Sequence, residues 1–370
     1  MQLVNQTPVV ARLDTSDLGD GSHRIGLVTA KATYRFDLAG NVALDTQEPI
    51  PLFVKDEPVA GGLLPADLEP RRNPIFEVIL LGHAYAPQRQ PVESLVVALS
   101  VDSVRRELRV SGDRIWVQNP DGTFVPTRPE PFTQMALGFE RAFGGSAMAR
   151  IDQHSELPVS HPMNPHGRGF DAQLMALQLG QLLRAPEGFP IVPEYRRALP
   201  NVESPPACVT GWADSPEPAS WATLPHDVPL HAFRRAQKPP PENLLEQLAA
   251  PPSADPSADP LAEVDSALYR AHPDWVLPIP PRAPVLRMLN LINEMPDLKL
   301  QVPDQRVVAD YVIGERNGSR PLTPQMLVLL PDERRFYLLY RMPFTFPHVP
   351  RQQRSVRLRL DAAWYCGGQS

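Results

Sequence analysis

Three histidines come first when the chain is searched for chemistry. His154, His161 and His166 fall close together, with Asp152, Glu156 and Asp171 beside them. A metal site needs imidazoles or carboxylates that converge at about 2 Å from the ion. This spacing is not the i, i+4 pair that one helix face would present, so the three are weak metal candidates. The plainer reading is polar loop histidines that hydrogen-bond or face water. A hydrolase needs a nucleophile with a base in reach. Ser146 follows Gly144 and Gly145 without a Gly-x-Ser-x-Gly frame, and the adjacency of Ser160 and His161 says nothing about contact. No catalytic residue is assigned. No phosphate cradle is visible either, so no nucleotide or other cofactor is expected.

The same region holds a second set of residues, suited to binding. Residues 131–145 read PFTQMALGFERAFGG, and 164–170 read NPHGRGF. Glu140 and Arg141 sit between Phe139 and Phe143, and a buried charge needs a partner. Arg168 is the expected partner of Glu140, holding the Asn164-Pro165 turn against the preceding segment. Glu140, Arg141, Phe143, Asn164, Arg168 and Phe170 are therefore candidates for loop anchoring, for contact with a partner, or for both. Trp212, Trp221 and Trp275 lie among prolines. Exposed, they would be interface anchors, because Trp is enriched at binding hot spots; buried, they would plug gaps between loops. Trp275, in the sequence HPDW, is the best single anchor candidate of the later half.

The elements that must position these groups read as strands. The chain has 46 prolines, more than twice the usual ~5%. Proline disfavours helix interiors and central strands, so short strands joined by irregular loops are expected. Residues 23–37 alternate as one long strand, with Gly26, Val28, Ala30, Ala32, Tyr34 and Phe36 as the core face. Further strands are expected at 42–44, 76–85, 94–101, 107–110 and 115–117, with a hairpin signal at Asp121-Gly122. Residues 1–143 thus form a sheet core and 144–230 a loop-rich part. That part has one expected helix at 171–184, capped by Asp171. Residues 231–284 read as a proline-rich insertion with short helices at 242–250 and 261–270. Within it, PPSADPSADP at 251–260 has no side chain able to build a core. A second β-rich region, 285–370, is expected to pack on the first, with strands near 285–292, 305–313, 326–330, 336–340 and 356–360. Asn317-Gly318 is its hairpin turn signal. The expected fold class is mainly β, an antiparallel sandwich-like arrangement with long proline-rich loops and a few short helices.

Composition narrows the partners. A formal net charge of −6 gives no general attraction to nucleic acid or anionic lipid. No apolar run approaches the ~18 residues needed to span a bilayer, and nothing reads as an export signal. No nucleic acid, no membrane and a cytoplasmic location are the resulting expectations. Cys208 and Cys366, the only cysteines, are expected to be reduced and unpaired.

The stretch 131–170 does not stand alone. NQTP at 5–8, VTAKATYRF at 28–36, PADLEP at 65–70, LLGHAYAP at 80–87, SGDRIW at 111–116 and LPNVESP at 199–205 occur with it in order. Together they resemble the bacterial family that carries the placeholder name domain of unknown function 2169. The resemblance thins beyond His226. It implies a non-catalytic adaptor or chaperone encoded with type VI secretion genes. Such an adaptor would bind an effector protein, with its PAAR-like region, and load it onto the VgrG spike. A β-rich metal-dependent hydrolase with its site in the 154–170 loop is the alternative. A strongly perturbed histidine in a closed pocket would favour that alternative.

Overall fold

The computed structural model describes residues 1–17, 23–68, 75–150, 156–172, 197–228, 269–347 and 354–361. They form a mainly β protein, with strands punctuated by short 3-10 turns. The expected helices at 171–184, 242–250 and 261–270, and the 251–260 repeat, fall wholly or mostly outside the described residues; Ala172 is helical. Among the described residues no helix is long and apolar enough to cross a membrane.

The alternating strand at the start of the chain, His23–Phe36, is the spine of a seven-stranded sheet. On one side it pairs antiparallel with Val10–Asp17, and on the other with Arg335–Pro347, from Arg35↔Arg335 to His23↔Pro347. Thr323–Leu330 follows, then Phe76–Leu80 in parallel, then the short Val276–Leu277. Every residue of Phe76–Leu80 is buried, including Glu77, whose carboxylate accepts from the Arg270 and Ala271 amides.

Burial on His23–Phe36 is wider than the alternation predicts. The expected core face is inside, but Thr29, Lys31 and Thr33 on the other face are buried too. Residues 45–67 cover them: the Ile50 amide donates to Thr33 Oγ1, and Lys31 Nζ donates to the Pro51 carbonyl and pairs with Asp67 at 2.5 Å. Strand periodicity reports side-chain direction, not what a later loop lays on that side.

Val202–Glu203, Val104–Ser111, Ser94–Val101, Val285–Leu289 and Asp297–Gln301 form a five-stranded sheet in that order. A four-stranded sheet is ordered Gln2–Asn5, Arg354–Leu360, Val307–Ile313, Arg316–Pro321. One cluster of buried side chains draws on all three sheets, from Val28 and Tyr34 to Val97, Met288 and Leu358. Pairing crosses the boundary drawn at residue 285, so that boundary does not separate one sheet from another.

Two local expectations change. The strand expected over 76–85 is two, Phe76–Leu80 and His83–Tyr85, the second pairing with Gln134–Ala136. The turn expected at Asn317-Gly318 lies instead at Gly314-Glu315, between the paired Ile313 and Arg316. Gly314 takes the positive φ, 62°, that such a turn needs, and Asn317 and Gly318 run inside the strand.

Candidate functional site

A second, smaller apolar cluster lies apart from the main core. Trp116, Phe143, Val159, Phe170, Leu199 and Val209 are buried in it, with Phe124, Leu157 and Trp212 packed at its margin. The residues singled out at 139–170 are built on this cluster.

The chain enters through the 3-10 turn Phe139–Arg141 and continues into Phe143–Gly144, which pairs in parallel with Arg168–Gly169. Asn164 is the staple between the two passes. It is fully buried, and its Nδ2 donates to the carbonyls of Phe139 (2.8 Å) and Phe143 (3.0 Å). Its own carbonyl accepts from the Gly145 amide at 2.8 Å. The approach is close enough to exclude a side chain opposite. A Cβ on Gly144, whose φ is 143°, would stand 2.1 Å from the Asn164 carbonyl oxygen. The Gly144-Gly145 pair is thus a packing requirement, consistent with backbone running against backbone.

His161 is beneath the same staple. Only 1% exposed, it meets the Phe143 and Phe170 rings edge-on, at centroid distances of 5.2 and 6.3 Å. Its Nδ1 accepts from the Asn164 amide at 3.2 Å, which fits the neutral ring protonated on Nε2. Burial pushes its pKa down to about 4. A perturbed histidine is what the hydrolase reading asks for. This one, however, is shifted by burial, and it lines none of the three cavities formed beside Tyr311, Pro280 and Arg105. His166 faces outward and pairs with Asp227 at 2.8 Å. His154 lies outside the described residues, and among those described no three His, Cys, Asp or Glu side chains gather as a metal site would require.

Above the staple sits a charged group. Arg168 does not reach the Glu140 carboxylate, as expected from sequence; its Nε donates to the Glu140 carbonyl at 3.3 Å. Its ionic partner is Asp113, at 3.3 Å, and Arg141 reaches the same carboxylate oxygen at 3.4 Å. Burial, then the neighbouring Arg141, push the Arg168 pKa down. Asn201 ties the group to the sheet: its Nδ2 donates to Asp113 at 2.9 Å and to the Ser111 carbonyl, while its Oδ1 accepts from Arg141 at 3.1 Å. Arg141 and Arg168 are about one-third exposed, and Glu140 is exposed with Asp113. Asp113 and Asn201 were missed as site residues. Their only sequence signals were membership of the SGDRIW and LPNVESP pieces.

The tryptophans divide. Trp212 is half-buried beside Phe124, with the Arg197 guanidinium 5.8 Å from its ring and 5.9 Å from that of Trp116. Trp275 is fully buried in the main core, edge-on to Trp221 at 5.9 Å. Of the two readings of Trp275, gap-filler describes it; it offers no exposed anchor. Phe143 and Phe170 are likewise buried and act as anchors of the loop. Of the residues singled out, Glu140, Arg141, Arg168 and part of Trp212 keep exposed surface, with Asp113 beside them.

A family model described as "Uncharacterized protein conserved in bacteria (DUF2169)" matches residues 21–341. No curated protein and no solved structure matches the chain.

Proposed function

The chain belongs to the DUF2169 family, and from that membership we propose that it is a non-catalytic cytoplasmic adaptor that binds a secreted effector protein and delivers it to a type VI secretion spike. The reading rests on the likeness of its motifs to adaptors of that kind. One observation supports it most: the turn Phe139–Arg141 and the pass at Arg168 are locked from below by Asn164 and present Arg141, Arg168 and Glu140 outward. A surface rigid before binding loses little conformational freedom on association. Arginine suits the role, because its planar donors pair with carboxylates in fixed geometry. On this reading the partner is the effector, with its PAAR-like region, and VgrG receives the complex.

The test is purification of the tagged chain from its native host, with the bound proteins identified. A stoichiometric effector carrying a PAAR-like region is expected. It should be lost with Arg141→Ala/Arg168→Ala and kept with Arg282→Ala, which removes an exposed ion pair to Asp304 elsewhere. Recovery of the folded chain with no such protein would overturn the adaptor reading.

A further inference from the structure

The hairpin Val307–Ile313 and Arg316–Pro321 has a face that the adaptor reading does not use. Its register pairs Ile313 with Arg316, Tyr311 with Gly318 and Ala309 with Arg320. Alternation along a strand therefore places Arg316, Gly318 and Arg320 on the side that Tyr311 and Ile313 share. That side looks across a groove of ≈ 630 Å³ to Met342, Phe344 and Phe346 on Arg335–Pro347. Gly318 shapes the floor: a Cβ there would meet Tyr311 Oη at 2.5 Å, so the ring lies across the strand between the two arginines.

Charge and backbone both point to a ligand. Arg316 and Arg320 make no ion pair or side-chain hydrogen bond among the described residues, although many other arginines here are paired. Arg354, paired across to Ile313, lies with its guanidinium 5.1 Å from the Phe346 ring. Among the described residues lining the groove, Glu315 is the one acidic residue. On a chain of net charge −6 this is a local excess of positive charge. Arg316–Pro321 is also the last strand of its four-stranded sheet. It pairs on one side with Val307–Ile313, and its outer amides and carbonyls face no strand among the described residues. An open edge of this kind is a template for another strand.

Spacing selects the ligand. Four residues of extended chain separate the two guanidinium-bearing positions by about 13 Å, too far for one small anion to bridge. A second extended chain beside the edge matches that repeat. We propose that Arg316–Pro321 accepts an extended acidic segment of a partner protein by strand addition. Acidic side chains two residues either side of an apolar one meet Arg316 and Arg320, and the apolar side chain rests on Tyr311 and Phe344. Main-chain hydrogen bonds supply affinity and the alternate side chains supply selectivity. The inference goes beyond the adaptor reading and does not depend on it, because the groove lies on different elements from the 139–170 loop.

The experiment is fluorescence anisotropy on the purified full chain with a labelled peptide whose core is Glu-Thr-Phe-Thr-Glu. Saturable binding that weakens with salt is expected. Arg316→Glu/Arg320→Glu should weaken it by at least about tenfold and should improve binding of the Lys-Thr-Phe-Thr-Lys counterpart. N-methylating the peptide amides on one edge should abolish binding. The substituted arginines are exposed, so the melting temperature should hold; each single variant, tested alone, should show a graded loss. Equal binding of the lysine peptide, indifference to N-methylation on either edge, displacement by inorganic phosphate as effective as by unlabelled peptide, or no saturation up to about 1 mM would each overturn the proposal. Failure here with intact effector capture would remove the groove alone.

Discussion

Residues 45–67 and the two passes 139–145 and 161–170 are both pressed onto apolar layers, yet one is held by a buried ion pair and the other by a neutral amide. Under the first, Lys31 and Asp67 meet with neither side chain exposed, the ammonium lies 4.3 Å from both the Phe53 and Tyr337 ring centres, and the Arg341 Nε donates to the Asp67 carbonyl. Burial pushes Lys31 down to about 8 against the pull of Asp67, and pushes Asp67 up against the pull of Lys31. Desolvation outweighs attraction for both, as it does for many buried pairs. Under the second, Asn164 satisfies two carbonyls without any charge and leaves His161 neutral. A charged pair depends acutely on both members being present. An amide staple depends on donor geometry, and its exposed rim is free to carry charge for a partner.

The largest expected effect breaks the charged side of this comparison. Lys31→Met should cost about 3–5 kcal/mol, because it strands a buried carboxylate. Adding Asp67→Asn should recover much of that loss. Urea denaturation of the two variants measures the coupling; equal instability would mean that Lys31 acts through packing on Phe53 and Tyr337.

Next comes the staple. Asn164→Asp keeps the shape but removes both donated bonds, and should cost about 2–4 kcal/mol at neutral pH through two unsatisfied carbonyls. Gly144→Ala should be comparably damaging, since the Asn164 carbonyl occupies the space. If Asn164→Asp melts like the parent, water replaces the staple and the loop is not held as described.

The third effect is pH-dependent. His161 has a folded pKa of about 4 against an ordinary value near 6.5. Between these values the unfolded chain binds more protons, so this contribution is complete above pH 6.5 and lost as pH falls through 4. About 3 kcal/mol is at stake. His161→Gln should flatten that part of the stability curve, and an NMR titration showing His161 protonating near 6.5 would contradict its burial. The smallest effect is at the rim. Arg141→Ala or Arg168→Ala should change stability by only about 0–1 kcal/mol, as partly exposed ion pairs do. A thermal melt distinguishes this from the structural role of Asn164, and partner capture is where these variants should differ from the parent.

Much of the strand set was legible because alternation survives wherever one face packs on a core. His23–Phe36, Val42–Leu44 and Ser94–Val101 fall where periodicity places them. Val10–Asp17 was not foreseen: its VARLDTSD alternation is polar and becomes a strand by pairing with His23–Phe36. The stretch 139–170 stood out by composition, but the partners of Asn164 are backbone carbonyls, which no side-chain pattern reveals. The expected partner of Arg168 was Glu140, whereas Asp113, 55 residues earlier in the chain, supplies the carboxylate. Trp275 carried no mark of its burial, because its neighbours Trp221 and Phe76–Leu80 come from distant segments.

Proline content and strand alternation by themselves determined that this is a β protein with irregular connections, because both act through local backbone geometry. Order within the sheets, the cover over Lys31, the sharing of Asp113 by two arginines and the open edge at Arg316–Pro321 were decided only by tertiary structure. Each depends on which distant segments meet, and that is set by the burial of whole faces rather than by any one residue's preference.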